Sequence, residues 1–178
     1  MCGICGFTGQ IVDRNETIKN MTDVITHRGP DSDGLFQDDY ISMGFRRLSI
    51  IDLDGGSQPI YTEDMSLVIS FNGEIYNYKL LREQLIKAGH KFYTDTDSEV
   101  LIHGFEEWGE EMLPKLRGMF GFAIYNKNDG SLFIARDFFG IKPMHYTLID
   151  GNLVYGSEIK SILQHPDFKK EFNEKALD

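Results

Sequence analysis

The chain has 178 residues, with 18 lysines and arginines against 28 aspartates and glutamates, which gives a formal net charge of −10. This acidic balance, without any basic run, argues against a surface that neutralises nucleic-acid phosphates. No apolar run reaches the ~20 residues that cross a bilayer. The N-terminus lacks the pattern of a signal peptide, and two cysteines three residues apart make no disulfide framework. The sequence therefore predicts one cytoplasmic domain with a single well-buried core.

The first residues, Met1-Cys2-Gly3, indicate an N-terminal nucleophile. Removal of Met1 puts a thiol and a free α-amino group on the same residue. An α-amino group titrates near pH ~8, so it can take the proton of the thiol, and the thiolate is the reactive form. Gly3 has no Cβ to keep a substrate at a distance. A chain that keeps Met1 carries its α-amine on the wrong residue and is expected to be inactive.

Periodicity in the first half of the chain predicts strands that alternate with helices. Three strands are indicated, at 4–11, 41–45 and 67–71. Apolar residues recur at helical spacing over 18–25, and Asp13 with Glu16 three residues on has the pattern of a capping box. The third strand is expected to stop at Asn72-Gly73, a dipeptide typical of turns.

The second half predicts two more helices followed by hairpins. One helix covers 78–88, with Leu80 and Leu81 among its inward-facing side chains and Gly89 as its stop. The next begins after Asp97 as N-cap. Four short strands follow, at 119–125, 132–135, 144–149 and 153–155, with a strong hairpin signal at 150–151. Strands on both sides of a helical middle predict an α+β domain of two mainly antiparallel sheets with helices outside.

Several polar residues beside these elements have the chemistry to recognise a free amino acid. Arg47 ends an apolar strand, and a guanidinium can fork onto a carboxylate. Asn72 and Gly73 offer a side-chain amide donor beside an unencumbered backbone N–H, a pair that can hold an oxyanion. Asp97 lies in an acidic stretch that can pair with an ammonium group. Each also has a plain structural reading, as a strand-end charge, a turn or a helix cap.

Taken together, six segments resemble the glutaminase domain of class II glutamine amidotransferases. They follow the order of that family over nearly the whole chain: Cys2-Gly3-Ile4, His27-Arg28-Gly29-Pro30-Asp31, Arg47-Leu48-Ser49-Ile50-Ile51-Asp52, Phe71-Asn72-Gly73-Glu74-Ile75-Tyr76-Asn77, Asp97-Ser98-Glu99 and Arg136-Asp137-Phe138-Phe139-Gly140-Ile141-Lys142-Pro143. Pro30 and the Arg-Leu-Ser-Ile run are the form found in the asparagine synthetase branch.

The resemblance implies a four-layer αββα sandwich of the N-terminal nucleophile (Ntn) hydrolase type over residues 1–178, and hydrolysis of L-glutamine to L-glutamate and ammonia. In the implied mechanism Cys2 forms a thioester while its α-amine shuttles protons. The other implied roles are an oxyanion hole from Asn72 and the Gly73 N–H, α-carboxylate binding by Arg47, α-ammonium binding by Asp97 and Glu74, and backbone contacts from Ile51.

In this family the ammonia passes to an ATP-dependent synthetase domain that makes asparagine from aspartate. ATP and magnesium belong to that domain, and no cofactor is implied for this one. Residues 172–178 resemble the opening of a helix without a stop signal, so we expect the chain to be a fragment that lacks the C-terminal synthetase domain. The acceptor of the ammonia stays open, because related enzymes amidate sugars or other carboxylates. Whether the chain forms a homodimer stays open as well.

Two other classes of protein remain as alternatives. Cys2 and Cys5 have the spacing of a metal or redox module, but a structural zinc site needs four ligands. The five histidines show no paired ligand spacing, so no metal is expected. Cys5 is expected to be a small buried hydrophobe. A binding domain that has lost catalysis is the second alternative, and the presence of Cys2, Arg47, Asn72 and Asp97 together argues against it.

Overall fold

A computed structural model describes residues 1–48 and 58–171. Within these ranges the strands are β1 (Gly3–Thr8), β2 (Ser32–Gln37), β3 (Ile41–Arg47), β4 (Ile60–Tyr61), β5 (Leu67–Ile75), β6 (Gly118–Asn126), β7 (Leu132–Arg136), β8 (His145–Ile149) and β9 (Asn152–Gly156). The α-helices are α1 (Arg14–Asp23), α2 (Tyr78–Ala88), α3 (Asp97–Trp108) and α4 (Ile159–Ile162), with 3₁₀ turns at Thr26–Arg28 and Gly109–Lys115. None of the described helices is long and apolar enough to cross a membrane.

The strands form two antiparallel sheets. Sheet A has five strands in the order β2-β3-β1-β9-β8, and sheet B has four in the order β4-β5-β6-β7. Every neighbouring pair is antiparallel, and most pairs are hairpins or near neighbours in sequence. The β8–β9 hairpin turns at Asp150 and Gly151, both with positive φ (49° and 82°), as a two-residue hairpin loop with this sequence requires.

Three apolar clusters hold the layers together. The first fills the space between the sheets with side chains from both, including Ile4, Met43 and Val68. The second packs the outer face of sheet A against α1 and α4, and the third packs the outer face of sheet B against α2 and α3. The order of layers is therefore helix, sheet A, sheet B, helix, which confirms the predicted αββα sandwich.

Strand alternation decides which residues face the layer between the sheets. In β1, Ile4 contacts that layer while Cys5 and Phe7 face α1. In β5, Val68 faces the layer while Phe71 faces the helices. Because successive side chains of a strand point to opposite faces, the even-numbered residues of both strands line the space between the sheets.

Five details of the sequence prediction were wrong or missing. Asp13 has a left-handed backbone (φ 56°) and makes no side-chain cap, because a capping side chain needs an extended backbone. The N-cap of α3 is Thr96, and Asp97 is its first helical residue. Leu80 is 56% exposed, because the buried stripe of α2 consists of Leu81 and Leu85. The edge strands β2 and β4 were not predicted.

The fifth correction concerns β5, which continues through the predicted turn as far as Ile75. Asn72 pairs with Gly121, and Gly73 pairs with Phe120. A Cβ on Gly73 would lie 2.3 Å from the carbonyl oxygen of Met119. Gly73 is therefore needed for close strand packing, and not for a reversal of the chain.

A buried carboxylate, Asp137, fixes the segment that follows β7. Its side chain accepts hydrogen bonds from the backbone N–H groups of Ile141 (2.9 Å), Lys142 (2.9 Å) and Phe120 (3.2 Å). Burial by itself raises the pKa of Asp137, but these backbone donors outweigh it and hold the pKa below its usual value. The carboxylate is therefore ionised at neutral pH and ties the loop to β6.

We expect Asp137→Ala to lower the free energy of unfolding by about 3 kcal/mol, because three backbone donors lose a charged acceptor. Chemical denaturation measures the change. The stabilisation by Asp137 is present above its unfolded-state pKa near ~4 and is lost as pH falls through the lower folded-state value. The fully exposed Asp129, which accepts only local turn hydrogen bonds, is the control. Equal effects of Asp137→Ala and Asp129→Ala would contradict the assignment.

Candidate active site

Cys2 lies directly before β1, on the side that faces sheet B. Its side chain is half-buried and packs against the apolar cluster between the sheets, as alternation with Ile4 requires. The Sγ atom lies 3.9 Å from the carbonyl oxygen of Leu48. Cys5, on the other face, is fully buried, and burial raises the pKa of its thiol to about 12. The two thiols are thus in opposite layers, and no CxxC site is formed.

The backbone of Cys2 is held by an ion-pair network. Arg28 donates from Nε to the carbonyl oxygen of Cys2 (3.0 Å) and from Nη1 to Oε1 of Glu158 (3.0 Å). Glu158 also contacts His27 (2.8 Å) and Lys160 (3.0 Å). Burial acts to raise the pKa of Glu158, but the bonds from Lys160, Arg28 and His27 lower it to about 2. The ionised carboxylate therefore fixes Arg28, and Arg28 fixes the carbonyl of Cys2.

Arg47 emerges beside Cys2 at the end of β3. The β1–β3 register pairs Gly3 with Arg46, and extending it by one residue puts Arg47 opposite Cys2. Arg46 reaches outward to Asp23 on α1. By alternation Arg47 leaves the other face of the strand and points into the layer that contains Cys2.

The segment between α1 and β2 packs tightly against this end of β3. A Cβ on Gly29 would come within 2.5 Å of the backbone of both Arg46 and Arg47. The N–H of Asp31 donates to the carbonyl of Arg47 (3.1 Å). Gly29 therefore allows the close approach that puts Arg28 within reach of Cys2.

Asn72 contributes a buried and unused donor from sheet B. It is 2% exposed, and its Nδ2 has no hydrogen-bond partner within residues 1–48 and 58–171. It lies four residues from Val68 on β5, so it faces the layer between the sheets. A buried polar group without a partner costs about 1–3 kcal/mol and is rare in native proteins. Among the described residues, Nδ2 of Asn72 is therefore an available donor on the inner face of sheet B.

The backbone N–H of Gly73 points out of the edge of sheet B. Phe120, its partner across the ladder, exchanges hydrogen bonds with Asp137 on the opposite side, so Gly73 and Phe120 form a non-bonded pair. On either side of Gly73, the N–H of Phe71 donates to Gln58 (2.6 Å) and that of Ile75 to Asp97 (2.8 Å). The N–H of Gly73 points out of the same edge of the strand, between the N–H groups of Phe71 and Ile75.

Lys142 connects the two halves of the site. Its Cβ lies 3.7 Å from the point that a Cβ on Gly121 would occupy, and Gly121 pairs with Asn72. Its ammonium donates to Sδ of Met1 (3.3 Å). The N-terminus and Asn72 are therefore at the same end of the sandwich.

Two carboxylates, those of Asp97 and Glu74, lie beyond Gly73 toward the end of β5. Asp97 accepts the N–H of Ile75 through Oδ2, and the neighbouring Glu74 is exposed. Burial is the main cause that raises the pKa of Asp97, and the charge of Glu74 raises it further. An arriving cation would act in the opposite direction and lower the pKa of Asp97, since it favours the ionised form.

The structure thus brings Cys2 and Arg47 together on sheet A and Asn72, Gly73 and Glu74 together on sheet B, with Asp97 of α3 bonded to the end of β5. Ile51 lies outside the described residues. The sequence had indicated these residues but not their supports. Arg28, Asp137 and Lys142 lay inside the recognised segments without a stated role. Glu158 lay outside them, and its partners Arg28 and His27 are 130 and 131 residues away.

Comparison with known proteins gives a consistent answer. The sequence model for the glutamine amidotransferase domain matches residues 1–178. The chain is 51% identical over 168 residues to asparagine synthetase [glutamine-hydrolyzing] 1 of Bacillus subtilis, covering 90% of this chain and 27% of that protein. It is 40% identical over 168 residues to asparagine synthetase [glutamine-hydrolyzing] 2 of Arabidopsis thaliana, covering 91% and 28%. The chain spans just over a quarter of the length of these relatives.

Solved structures agree on the fold. The glutamine phosphoribosylpyrophosphate amidotransferase from B. subtilis superposes with a TM-score of 0.75 at 20% identity, covering 90% of this chain and 43% of that one. The allosteric regulatory enzyme of purine biosynthesis gives 0.76 at 20% identity, covering 92% and 43%. At this level of identity the likeness concerns the fold, and it confirms the predicted Ntn-type architecture.

The positions of the two thiols predict selective chemistry at Cys2. Iodoacetamide at neutral pH should label Cys2 in the native chain and leave Cys5 untouched, because a fully buried thiol with a raised pKa gives little accessible thiolate. Intact mass and peptide mapping measure the result, and labelling in denaturant, where both thiols react, is the control. Native labelling of Cys5 at a rate comparable to Cys2 would contradict the arrangement.

Proposed function

The chain belongs to the glutamine amidotransferase domain family, and we propose that it hydrolyses L-glutamine to L-glutamate and ammonia with Cys2 as the nucleophile. The observation that carries this proposal is the side-chain amide of Asn72, buried in the layer between the sheets at the end where the N-terminus lies, whose Nδ2 has no hydrogen-bond partner among the described residues. A nucleophile on one sheet and an amide donor on the other suit acyl transfer, in which negative charge develops on the substrate carbonyl oxygen.

The reaction starts after removal of Met1, when Cys2 carries a free α-amine. The amine takes the proton of the thiol, and the sulfur attacks the side-chain carbonyl carbon of glutamine. The carbonyl electrons move to oxygen and form a tetrahedral oxyanion. Arg28 keeps the carbonyl of Cys2 in place during this step, so the distance between sulfur and carbonyl carbon depends on a fixed backbone.

The oxyanion is held by Nδ2 of Asn72 and the N–H of Gly73. One such donor is worth about 2.7–4 kcal/mol of transition-state stabilisation in a related chemistry. When the intermediate collapses, the α-ammonium returns its proton to the leaving nitrogen, and ammonia departs. The remaining thioester is then attacked by water, with the α-amine again as base, to give glutamate.

The α-carboxylate and the α-ammonium of glutamine each pair with side chains of opposite charge. Arg47 pairs with the α-carboxylate through its guanidinium. Asp97 and Glu74 pair with the α-ammonium, which suits a carboxylate whose pKa is raised by burial and by a like charge. Ile51 is proposed to add backbone contacts. This orientation puts the side-chain amide of glutamine between Cys2 and Asn72.

We propose further that the ammonia serves an ATP-dependent synthetase domain of the same polypeptide, which makes asparagine from aspartate. The similarity to several glutamine-hydrolysing asparagine synthetases, of which the chain spans a fraction, supports this acceptor over a sugar or another carboxylate. ATP and magnesium would then bind to that domain. A free catalytic thiol fits a reducing cytoplasm.

Covalent labelling tests the nucleophile and its processing together. The intact mass of the purified chain is measured before and after incubation with a diazo-ketone analogue of glutamine. We expect loss of Met1 and one adduct, which peptide mapping assigns to Cys2. Cys2→Ala should take no adduct and hydrolyse no glutamine while keeping its circular dichroism spectrum, and Cys5→Ala should be labelled like the parent. A processed chain without an adduct, or a Cys2→Ala variant with parental turnover, would overturn the proposal.

The ammonium site is tested by Asp97→Asn. We expect KM for glutamine to rise roughly 10- to 100-fold, because the charged hydrogen bond to the α-ammonium is lost, with a smaller change in kcat. In the parent, KM should rise as pH falls through the raised pKa of Asp97, since protonation removes the charge; the variant should lose this component. Asp95→Asn, at an exposed side chain, is the matched control. An unchanged KM in Asp97→Asn would reduce Asp97 to a structural residue of α3.

A further inference from the structure

A second cluster of titratable side chains lies outside the glutaminase machinery, where the C-terminal end of α2 meets α3. It contains two histidines, His90 and His103, whose ring centroids are 5.1 Å apart, and three glutamates, Glu99, Glu106 and Glu107. The thirteen-residue separation of the histidines gave no sign of this in the sequence. We propose that the cluster binds a divalent transition metal, best matched by Zn²⁺, through His90, His103 and Glu106.

The backbone holds the three side chains in place before any metal arrives. His90 follows the cap of α2, in which Gly89 (φ 109°) donates to Ile86 (3.1 Å) and His90 donates to Leu85 (3.0 Å). This pair of bonds is a Schellman motif, which fixes the residue after the helix. His103 and Glu106 are three residues apart on α3 and so share one helix face.

The distances between ligand atoms fit a tetrahedral ion. Oε2 of Glu106 lies 3.2 Å from Nδ1 of His90 and 3.3 Å from Nδ1 of His103. Bonds of ~2.0–2.1 Å to zinc put tetrahedral ligand atoms about 3.4 Å apart, so two of the three edges already match. The ligand atoms of all three residues lie within 4.8 Å of one another.

The opposite ring nitrogens face carboxylates, as those of metal-bound histidines usually do. Nε2 of His90 lies 3.0 Å from Glu107, and Nε2 of His103 lies 3.6 Å from Glu99. Glu99 is itself anchored by the N–H groups of Tyr93 (2.6 Å) and Thr94 (2.7 Å) and by the Thr94 hydroxyl. These partners keep Nδ1 of each ring turned toward Glu106.

Charge and access also suit a dication. Three carboxylates surround the two imidazoles, and a divalent ion would offset much of their negative charge. Nitrogen and oxygen donors of this kind favour zinc over calcium or magnesium. Glu106 is 38% exposed at its side chain, which leaves room for a water as fourth ligand and a route for the ion.

The test uses Cys2→Ala, so that the active-site thiol cannot bind metal. Zn²⁺ is titrated by calorimetry, and Co²⁺ is titrated by visible absorption. We expect one equivalent of each to bind, with a tetrahedral Co²⁺ spectrum free of a thiolate charge-transfer band, and zinc should raise the thermal unfolding midpoint by clamping α2 to α3.

Four variants in that background locate the site. His90→Gln and Glu106→Gln should abolish stoichiometric binding while leaving the circular dichroism spectrum unchanged. Glu107→Gln should weaken binding about 10- to 100-fold, the usual effect of losing an orienting carboxylate. His145→Gln, on the distant strand β8, should bind like the parent. No saturable zinc binding, or parental binding by His90→Gln, would mean that the cluster is an ion-pair network only, and would overturn the proposal.

Discussion

The guanidinium of Arg28 joins Cys2, the proposed nucleophile, to Glu158, just after β9. Its Nε donates to the carbonyl oxygen of Cys2, and its Nη1 donates to Glu158. His27 and Lys160 also contact Glu158. The side chain of Arg28 is 9% exposed, so its charge depends on Glu158 for compensation. Removing one member of such a buried pair leaves the other uncompensated. The position of the proposed nucleophile, Cys2, therefore depends on a residue more than 150 positions away in sequence.

Strand alternation distributes the groups of the candidate site between the two sheets. Sheet A carries the thiol and a guanidinium on its inner face, and sheet B carries an amide donor and a backbone N–H. Neither sheet alone contains the complete set of groups that the proposed amide hydrolysis uses. The apolar cluster between the sheets fixes their separation, so the packing of Ile4, Met43 and Val68 also sets the distance between the two half-sites.

The sequence indicated most of the fold and of the site, and its failures have physical causes. Local periodicity located α2 and the β8–β9 hairpin because their signals lie within a few residues. It missed β2, whose polar sequence becomes a strand only by pairing with β3. Asn72-Gly73 has the composition of a turn, and its pairing with β6 shows why the strand continues. Glu158 and the His90–His103 pair depend on tertiary contacts that no local pattern records.

The contact between Lys142 and Met1 affects where a label or a surface linkage can be attached. Because Cys2 packs against the layer between the sheets and Met1 contacts Lys142, anything attached ahead of them would lie at the end of the molecule that holds the proposed nucleophile. An affinity handle, fluorophore or surface linkage at that point would compete with the very chemistry it is meant to report. The turn at residues 127–130 is exposed along its whole length and joins two strands remote from the thiol in sequence. It offers a better attachment point for immobilising the protein with its amine and thiol untouched.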